Sequence, residues 1–253
     1  MIDIHTHILP DIDDGAASVD VSIDMLDAAR AMGVTIIVAT PHLTAPLTPD
    51  YEAAVHRAFL EIESHARERA ITLLRGFEIR LTPDLPARLR AGEPVTLGGS
   101  DTVLVDLPFI DWPHFADETL FNVQASGYQV ILAHPERYPR IQEDPKAGLE
   151  LVNRGIALQV NISSLAGIFG RTAQRAAEAL LELGAVHLVA SDAHSAGDRM
   201  AAVPEGLGTL RDLVGPEGLR RLALDTPRAI LRGQPLPAPV GTQRQTWRDR
   251  LAI

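Results

Sequence analysis

Seven short apolar, β-branched runs alternate with helical patterns along the chain, and this alternation limits the fold more than any other feature. The runs cover residues 2–5, 34–40, 71–79, 102–107, 128–134, 156–161 and 186–191. Runs of this length and composition read as buried strands of a parallel sheet. Helical spacing between them predicts helices over residues 19–32, 49–70, 115–126, 145–154 and 172–183. Thr48 precedes the second of these as an N-cap, with Pro49 in the first turn. Three units close in the order helix, glycine, strand, at Gly127, Gly155 and Gly184. That is the βα alternation of a parallel α/β fold. Shorter helices are expected over residues 201–214, 217–224 and 227–231.

Seven strands fit an open doubly wound sheet or a closed, irregular barrel. No G-x-G-x-x-G string opens the first helix, which argues against the dinucleotide-binding sheet. A barrel commonly fills 253 residues as a single domain. The expected layout is therefore a distorted (β/α)7 barrel over residues 1–233. A C-terminal tail over residues 234–253 is expected to be extended at first and loosely attached.

The chain has no cysteine, so disulfides, zinc–cysteine sites and thiolate nucleophiles are excluded. The N-terminus lacks a basic segment followed by an apolar one, and no uninterrupted apolar stretch reaches the roughly 18 residues of a membrane span. A cytoplasmic location is expected. The formal net charge of -10 argues against a nucleic-acid partner, which usually meets a basic face. Carboxylates that ligate a cation would account for part of that acidity.

The positions of the polar residues favour the barrel. His5 and His7 lie at and just beyond the end of the first run, and two residues apart in extended chain they face the same side. Asp14 follows in the loop. His42 comes directly after the second run and Pro41, Glu78 ends the third, Asp106 the fourth and His134 the fifth. Asp192 and His194 follow the seventh, again two apart. In a barrel all these carboxyl ends open onto one face, where active sites form. A lone histidine is ordinarily structural, and an aspartate after a strand is ordinarily a helix cap. Five of the nine histidines at strand ends make a different pattern. Of the others, His56 and His65 fall on a helix, His114 in a loop, and His187 at the start of a strand, facing the opposite end.

Mixed imidazole and carboxylate ligands suit zinc, manganese or iron, and nine candidates point to two or three ions. Closely spaced ions can clamp the attacking and leaving oxygens of an in-line displacement at phosphorus and lower the pKa of water towards about 7. Arg137, in His-Pro-Glu-Arg, and Arg199, after His194, are placed to grip phosphate oxygens. Their structural alternative is an ion pair with Glu136 or Asp198. The apolar string at residues 107–112 either rims the pocket or plugs the side of the barrel.

The ordered strings Ile-Asp-Ile-His-Thr-His, Asp-Asp-Gly, Thr-Pro-His, Gly-Phe-Glu-Ile, Ala-His-Pro-Glu-Arg-Tyr and Ala-Ser-Asp-Ala-His resemble the polymerase and histidinol phosphatase (PHP) superfamily. Their wording is similar to its bacterial capsular-polysaccharide branch, the manganese-dependent tyrosine-protein phosphatases, over residues 1–231. The resemblance implies a distorted seven-stranded barrel with a three-metal site. It implies Mn²⁺, with Zn²⁺ or Fe as alternatives, and a bacterial tyrosine autokinase controlling capsule or exopolysaccharide synthesis as substrate. A homo-oligomer is compatible with it. Carried over, His5, His7, Asp14, His42, Glu78, His134, Asp192 and His194 would be ligands, with Glu78 bridging, and Arg137 and Arg199 would hold phosphate. Asp106 stands where the branch usually has glutamate. One methylene shorter, it would ligate after a small shift or hold its ion weakly.

Three other readings stay open. A small phosphomonoester such as histidinol phosphate is an alternative substrate. Metal barrels that hydrolyse amides or lactones commonly use a bridging carboxylated lysine, and the single lysine here, Lys146, sits at a helix start. A metal-binding scaffold without activity is the third.

Overall fold

In the computed structural model, which describes residues 1–242, each of the seven apolar runs holds a strand. In chain order the strands are β1 (Ile2–Thr6), β2 (Ile36–Ala39), β3 (His42–Leu43), β4 (Thr72–Arg75), β5 (Glu78–Arg80), β6 (Thr102–Asp106), β7 (Gln129–Ala133), β8 (Ala157–Asn161) and β9 (Leu188–Ala190). The third run divides into β4 and β5 at Gly76-Phe77, and the two-residue β3, just after Pro41, was not expected.

The larger helices are α1 (Val19–Ala31), α2 (Pro49–Glu68), α3 (Leu85–Arg90), α4 (Ala116–Ala125), α5 (Pro139–Glu143), α6 (Lys146–Asn153), α7 (Ile162–Leu165), α8 (Gly170–Glu182), α9 (Asp198–Ala201), α10 (Val203–Arg220) and α11 (Thr226–Leu231). Thr48 caps α2 as expected, its hydroxyl accepting from Tyr51 N–H. The two helices expected over residues 201–224 merge into α10, which kinks at Gly215 ahead of Pro216. Gly155 and Gly184 close α6 and α8 with positive φ, a conformation that a side chain would disfavour.

All strand pairings between named strands are parallel, so the carboxyl ends share one side. The strands form two sheets, in the orders β1-β2-β4 and β3-β5-β6-β7-β8-β9. The expectation of a closed barrel is corrected here: the described strands build a single α/β domain with no closed sheet. Pro41 has no N–H to extend β2 into β3. On the other side β1 meets β9 only through an isolated bridge, Thr6 to Ala193, with His7 N–H donating to Ala193 O and Asp192 N–H to His5 O.

Two apolar clusters hold this frame. The larger lies between the helices and the strands and includes Met25, Leu26, Ile62, Val105, Leu132, Leu158 and Leu180. The smaller contains Leu104, Ile131, Ala157, Leu188 and Ala190. With a period of two, Asp106 follows Leu104, and Gln159 and Asn161 follow Ala157, on the same face. Apolar packing at one end of the strands thus aims polar side chains at the other.

The first part of the expected tail is held firmly. Val240 pairs with Val186 in an antiparallel bridge, its N–H donating to Val186 O at 2.7 Å, and Thr242 N–H donates to Leu181 O. Val240 fills an apolar slot, which an extended reading of Pro-rich sequence does not foresee. The remainder of the tail, residues 243–253, lies outside the described residues.

Candidate metal centre

The ends of β1, β7 and β9, the first residues of β3 and β5 and the loop after β1 bring eight of the nine expected ligands together. Among the described residues, ligand atoms within 4.8 Å of one another form three groups: His7, Asp14, His42 and His194; His5, His134 and Asp192; and His5, His7 and Glu78. His134 and Asp192 adopt left-handed φ of 37° and 51°. Such conformations are uncommon outside glycine and collect at functional sites. The chain turns sharply at both strand ends and points each side chain into the cluster.

The geometry suits a cation. His5 Nδ1 lies 2.8 Å from Gln159 Oε1, and Gln159 Nε2 donates to Asn161 Oδ1 at 2.8 Å. Since that amide group is spent as a donor on Asn161, Oε1 accepts and His5 Nδ1 carries the proton. His7 Nδ1 lies 2.7 Å from Asp13 Oδ2 and carries its proton, because a carboxylate oxygen only accepts. The two Nε2 atoms, 3.3 Å apart, are then lone pairs facing each other. Around them stand Glu78 Oε2, at 3.4 Å and 3.5 Å, and Asp192 Oδ1, at 3.5 Å and 3.4 Å, from His7 and His5 respectively. Glu78 Oε2 is buried, and its shortest contact is with His42 Nδ1 at 2.8 Å. Four convergent acceptors in a buried space repel unless a proton or metal ion sits among them. Imidazole nitrogen and carboxylate oxygen together are a donor set for a divalent transition metal.

The same crowding sets the charges. Burial works to raise the Asp192 carboxyl, yet His5, with His7 and His134, outweighs it and holds the group well below the carboxylate range. Burial lowers the His194 imidazole to about 4, helped by His7 and Arg199. His42 bridges outward, with Nδ1 at 2.8 Å from Glu78 Oε2 and Nε2 at 3.2 Å from Asp14 Oδ1. Asp14 is exposed, so this side of the cluster faces solvent.

Both expected arginines reach the cluster, and both are tied to Asp192. Arg137 Nη1 donates to Asp192 Oδ2 at 3.3 Å, and Arg199 Nη1 donates to Asp192 O at 2.8 Å. Neither pairs with Glu136 or Asp198. The Arg137 guanidinium lies 4.2 Å from the ring centres of both Phe109 and Phe169. A guanidinium held between aromatic faces keeps its N–H edge free for an anion. Phe109 also approaches His134, 5.3 Å between ring centres. The string at residues 107–112 therefore rims the site. Leu107 is buried, its N–H donating to Tyr138 Oη, whereas Ile110 stands 92% exposed beside an open groove of about 560 Å³ lined by Trp112, Arg140 and Glu143.

Asp106 is not brought into any ligand group. Its carboxylate is taken by the Arg80 fork, Nε to Oδ1 at 3.1 Å and Nη2 to Oδ2 at 2.8 Å. Burial, then the Glu78 charge, pushes Asp106 up to about 7 against the pull of Arg80. Four functional side chains escaped the sequence reading. Asp13 orients His7 and also accepts His42 N–H. Gln159 orients His5, and Asn161 donates to Asp192 Oδ2 at 2.7 Å. Glu136, fully buried, accepts from Ser164 Oγ and Asn161 N–H and so anchors the strand end that carries the amides. The Asp-Asp-Gly string and the period of two in β8 were the available signals.

The chain is similar to known proteins along nearly its whole length. A family model described as capsular polysaccharide synthesis, CpsB/CapC, matches residues 1–232. The tyrosine-protein phosphatase YwqE of Bacillus subtilis (strain 168) is 35% identical over 246 residues, 95% of this chain and 96% of that protein. The tyrosine-protein phosphatase CpsB of Streptococcus pneumoniae is 30% identical over 241 residues, 92% of this chain and 99% of that protein. A chain from the crystal structures of YwqE and CpsB, described as unique metal-dependent tyrosine phosphatases, superposes with a TM-score of 0.84 at 33% identity, covering 96% of this chain and 100% of that one. A β-aspartyl dipeptidase from Fervidobacterium islandicum AW-1, at TM-score 0.54 and 14% identity, shares the fold, over 96% of this chain and 76% of its own. Matched from its first residue to residue 232, this chain belongs to the capsular polysaccharide synthesis family CpsB/CapC.

Proposed function

We propose that this chain is a metal-dependent tyrosine-protein phosphatase acting on phosphotyrosine in a bacterial tyrosine autokinase that controls capsule or exopolysaccharide synthesis. The observation that carries this reading is the convergence of four acceptors on one buried point with two arginines at its rim. The proposed ligands are His5, His7, Asp14, His42, Glu78, His134, Asp192 and His194, with Mn²⁺ as the ion and Zn²⁺ or Fe as alternatives. When bound, the ions supply Lewis acidity and lower the pKa of water towards about 7.

The chain's own groups do the rest. Arg137 and Arg199 are less than a quarter exposed, yet their edges open to the cluster, where they grip the non-bridging oxygens of phosphate and stabilise charge that grows there. The leaving phenolate has a pKa of about 10 and needs less protonation than an alkoxide. With no cysteine in the chain, a thiolate nucleophile is excluded, and attack by metal-activated water requires no covalent phosphoenzyme. Lys146 is exposed at the start of α6, away from the cluster, which counts against a lysine-bridged amidohydrolase site. No helix among the described residues is long and apolar enough to cross a membrane, in keeping with the proposed cytoplasmic location.

The test compares a phosphotyrosine peptide with histidinol phosphate, before and after chelation and with Mn²⁺ restored. Preference for the peptide, lost on chelation and regained with metal, is expected. Preference for histidinol phosphate would replace the substrate, and full activity after chelation would remove the metal.

A further inference from the structure

The three ligand groups overlap, and the overlap limits the number of ions. His5 and His7 each belong to two groups. The Nδ1 atom of each is committed, to Gln159 and to Asp13, so each imidazole has one free nitrogen with one lone pair for one cation. Both imidazoles point at the one buried site with Glu78 and Asp192, within reach of His134, which leaves Asp14, His42 and His194 as the second set. Glu78 stands between them, since a carboxylate has lone pairs for two partners.

A third ion would need Asp106 together with Glu78 and His134. Those donors are already engaged. His134 Nε2 and Glu78 Oε1 meet at 2.7 Å. Arg80 and Asp106 stand directly opposite each other in the register of β5 and β6, and the guanidinium binds both carboxylate oxygens. An ion entering here must displace a bidentate, charge-assisted pair. The arginine cannot make room by losing its proton. We propose that this chain holds two metal ions rather than three, and that Arg80 takes the third position as a fixed positive charge of the protein. The proposal rests on the metal-dependent reading above.

Metal counting decides it. The full chain is loaded with Mn²⁺, freed of excess ion and measured by elemental analysis, with Mn²⁺ titration calorimetry as a second count. Two equivalents are expected in the wild type and in Asp106→Asn. Three are expected in Arg80→Ala, where Asp106 is released. Three equivalents in the wild type, falling to two in Asp106→Asn, would overturn the proposal and make Asp106 a ligand. Two in Arg80→Ala would overturn the role of Arg80. The wild-type count stands even if a variant fails to fold. No bound ion at all would remove the metal-dependent reading itself, a result distinct from a count of three.

Discussion

The two ends of the strands handle buried histidine in opposite ways. At the carboxyl end, His5 and His7 face carboxylates of Glu78 and Asp192 at 3.4–3.5 Å, and the imidazoles are raised although burial works to lower them. At the amino end, His187 has no such neighbour. Its Nδ1 accepts Leu158 N–H at 3.2 Å, and burial takes it down to about 4. A neutral imidazole bonded to backbone is a finished arrangement. Imidazoles crowded against carboxylates are not, because only a cation relieves the crowding. The difference separates a histidine that completes the fold from histidines placed to meet the proposed ion.

The sharpest way to break this contrast is to remove the ion. Chelation, or Asp192→Asn, should lower phosphotyrosine hydrolysis by more than about 1000-fold, the several kcal/mol that a Lewis-acid centre supplies. Ile131→Ala, deep in the smaller apolar cluster, should do the reverse. It should cost about 2–5 kcal/mol in denaturant unfolding, with the rate per folded molecule kept. If the two substitutions acted alike, the ends of the strands would not be functionally separate.

Arg137→Ala should raise the barrier by about 3 kcal/mol, roughly 100-fold in kcat, if its guanidinium meets phosphate in the transition state. A rate unchanged at saturating substrate would leave Arg137 as no more than a partner of Asp192. Gln159→Ala and Asp13→Ala lie one bond further out. Partners of this kind typically change metal affinity by about 10–100-fold, so Mn²⁺ titration should weaken in both while folding persists.

The smallest effect concerns His187. Its folded pKa of about 4 lies below the 6.5 of an ordinary imidazole. Between those values the unfolded chain binds a proton that the folded chain refuses. Stability on this account is full above about pH 6.5 and declines as pH falls towards about 4. His187→Gln should flatten that decline by a few degrees in Tm, compared with wild type in chelator. An identical slope in both would mean that His187 is not buried neutral.

Much of the fold was legible because it is written in local terms. β-Branched runs marked every strand except the two-residue β3, and Thr48 marked a helix start. The ligand types were legible because carboxyl ends of parallel strands share one side, so residues far apart in the chain must converge. Asp13 was not, because its neighbour Asp14 is an equally good carboxylate and only the path of the loop distinguishes them. Gln159 and Asn161 look like ordinary polar positions of a strand until His5 and Asp192 stand beside them. The attachment of residues 234–242 was missed because Val240 pairs with Val186, 54 residues earlier, a contact no local pattern encodes.

The sequence by itself determined the α/β class, the side on which the chemistry lies, and a ligand set without sulfur. These follow from hydrophobic period, strand polarity and residue type, which are properties of short segments. The tertiary structure decided the rest. It left the strands in two sheets because a proline interrupts β2 and a single bridge joins β1 to β9. It set the imidazole tautomers through Gln159 and Asp13. It gave Asp106 to Arg80 because the register of β5 on β6 puts them side by side. Register and side-chain partnership depend on atoms brought together from distant parts of the chain, and only the folded molecule brings them together.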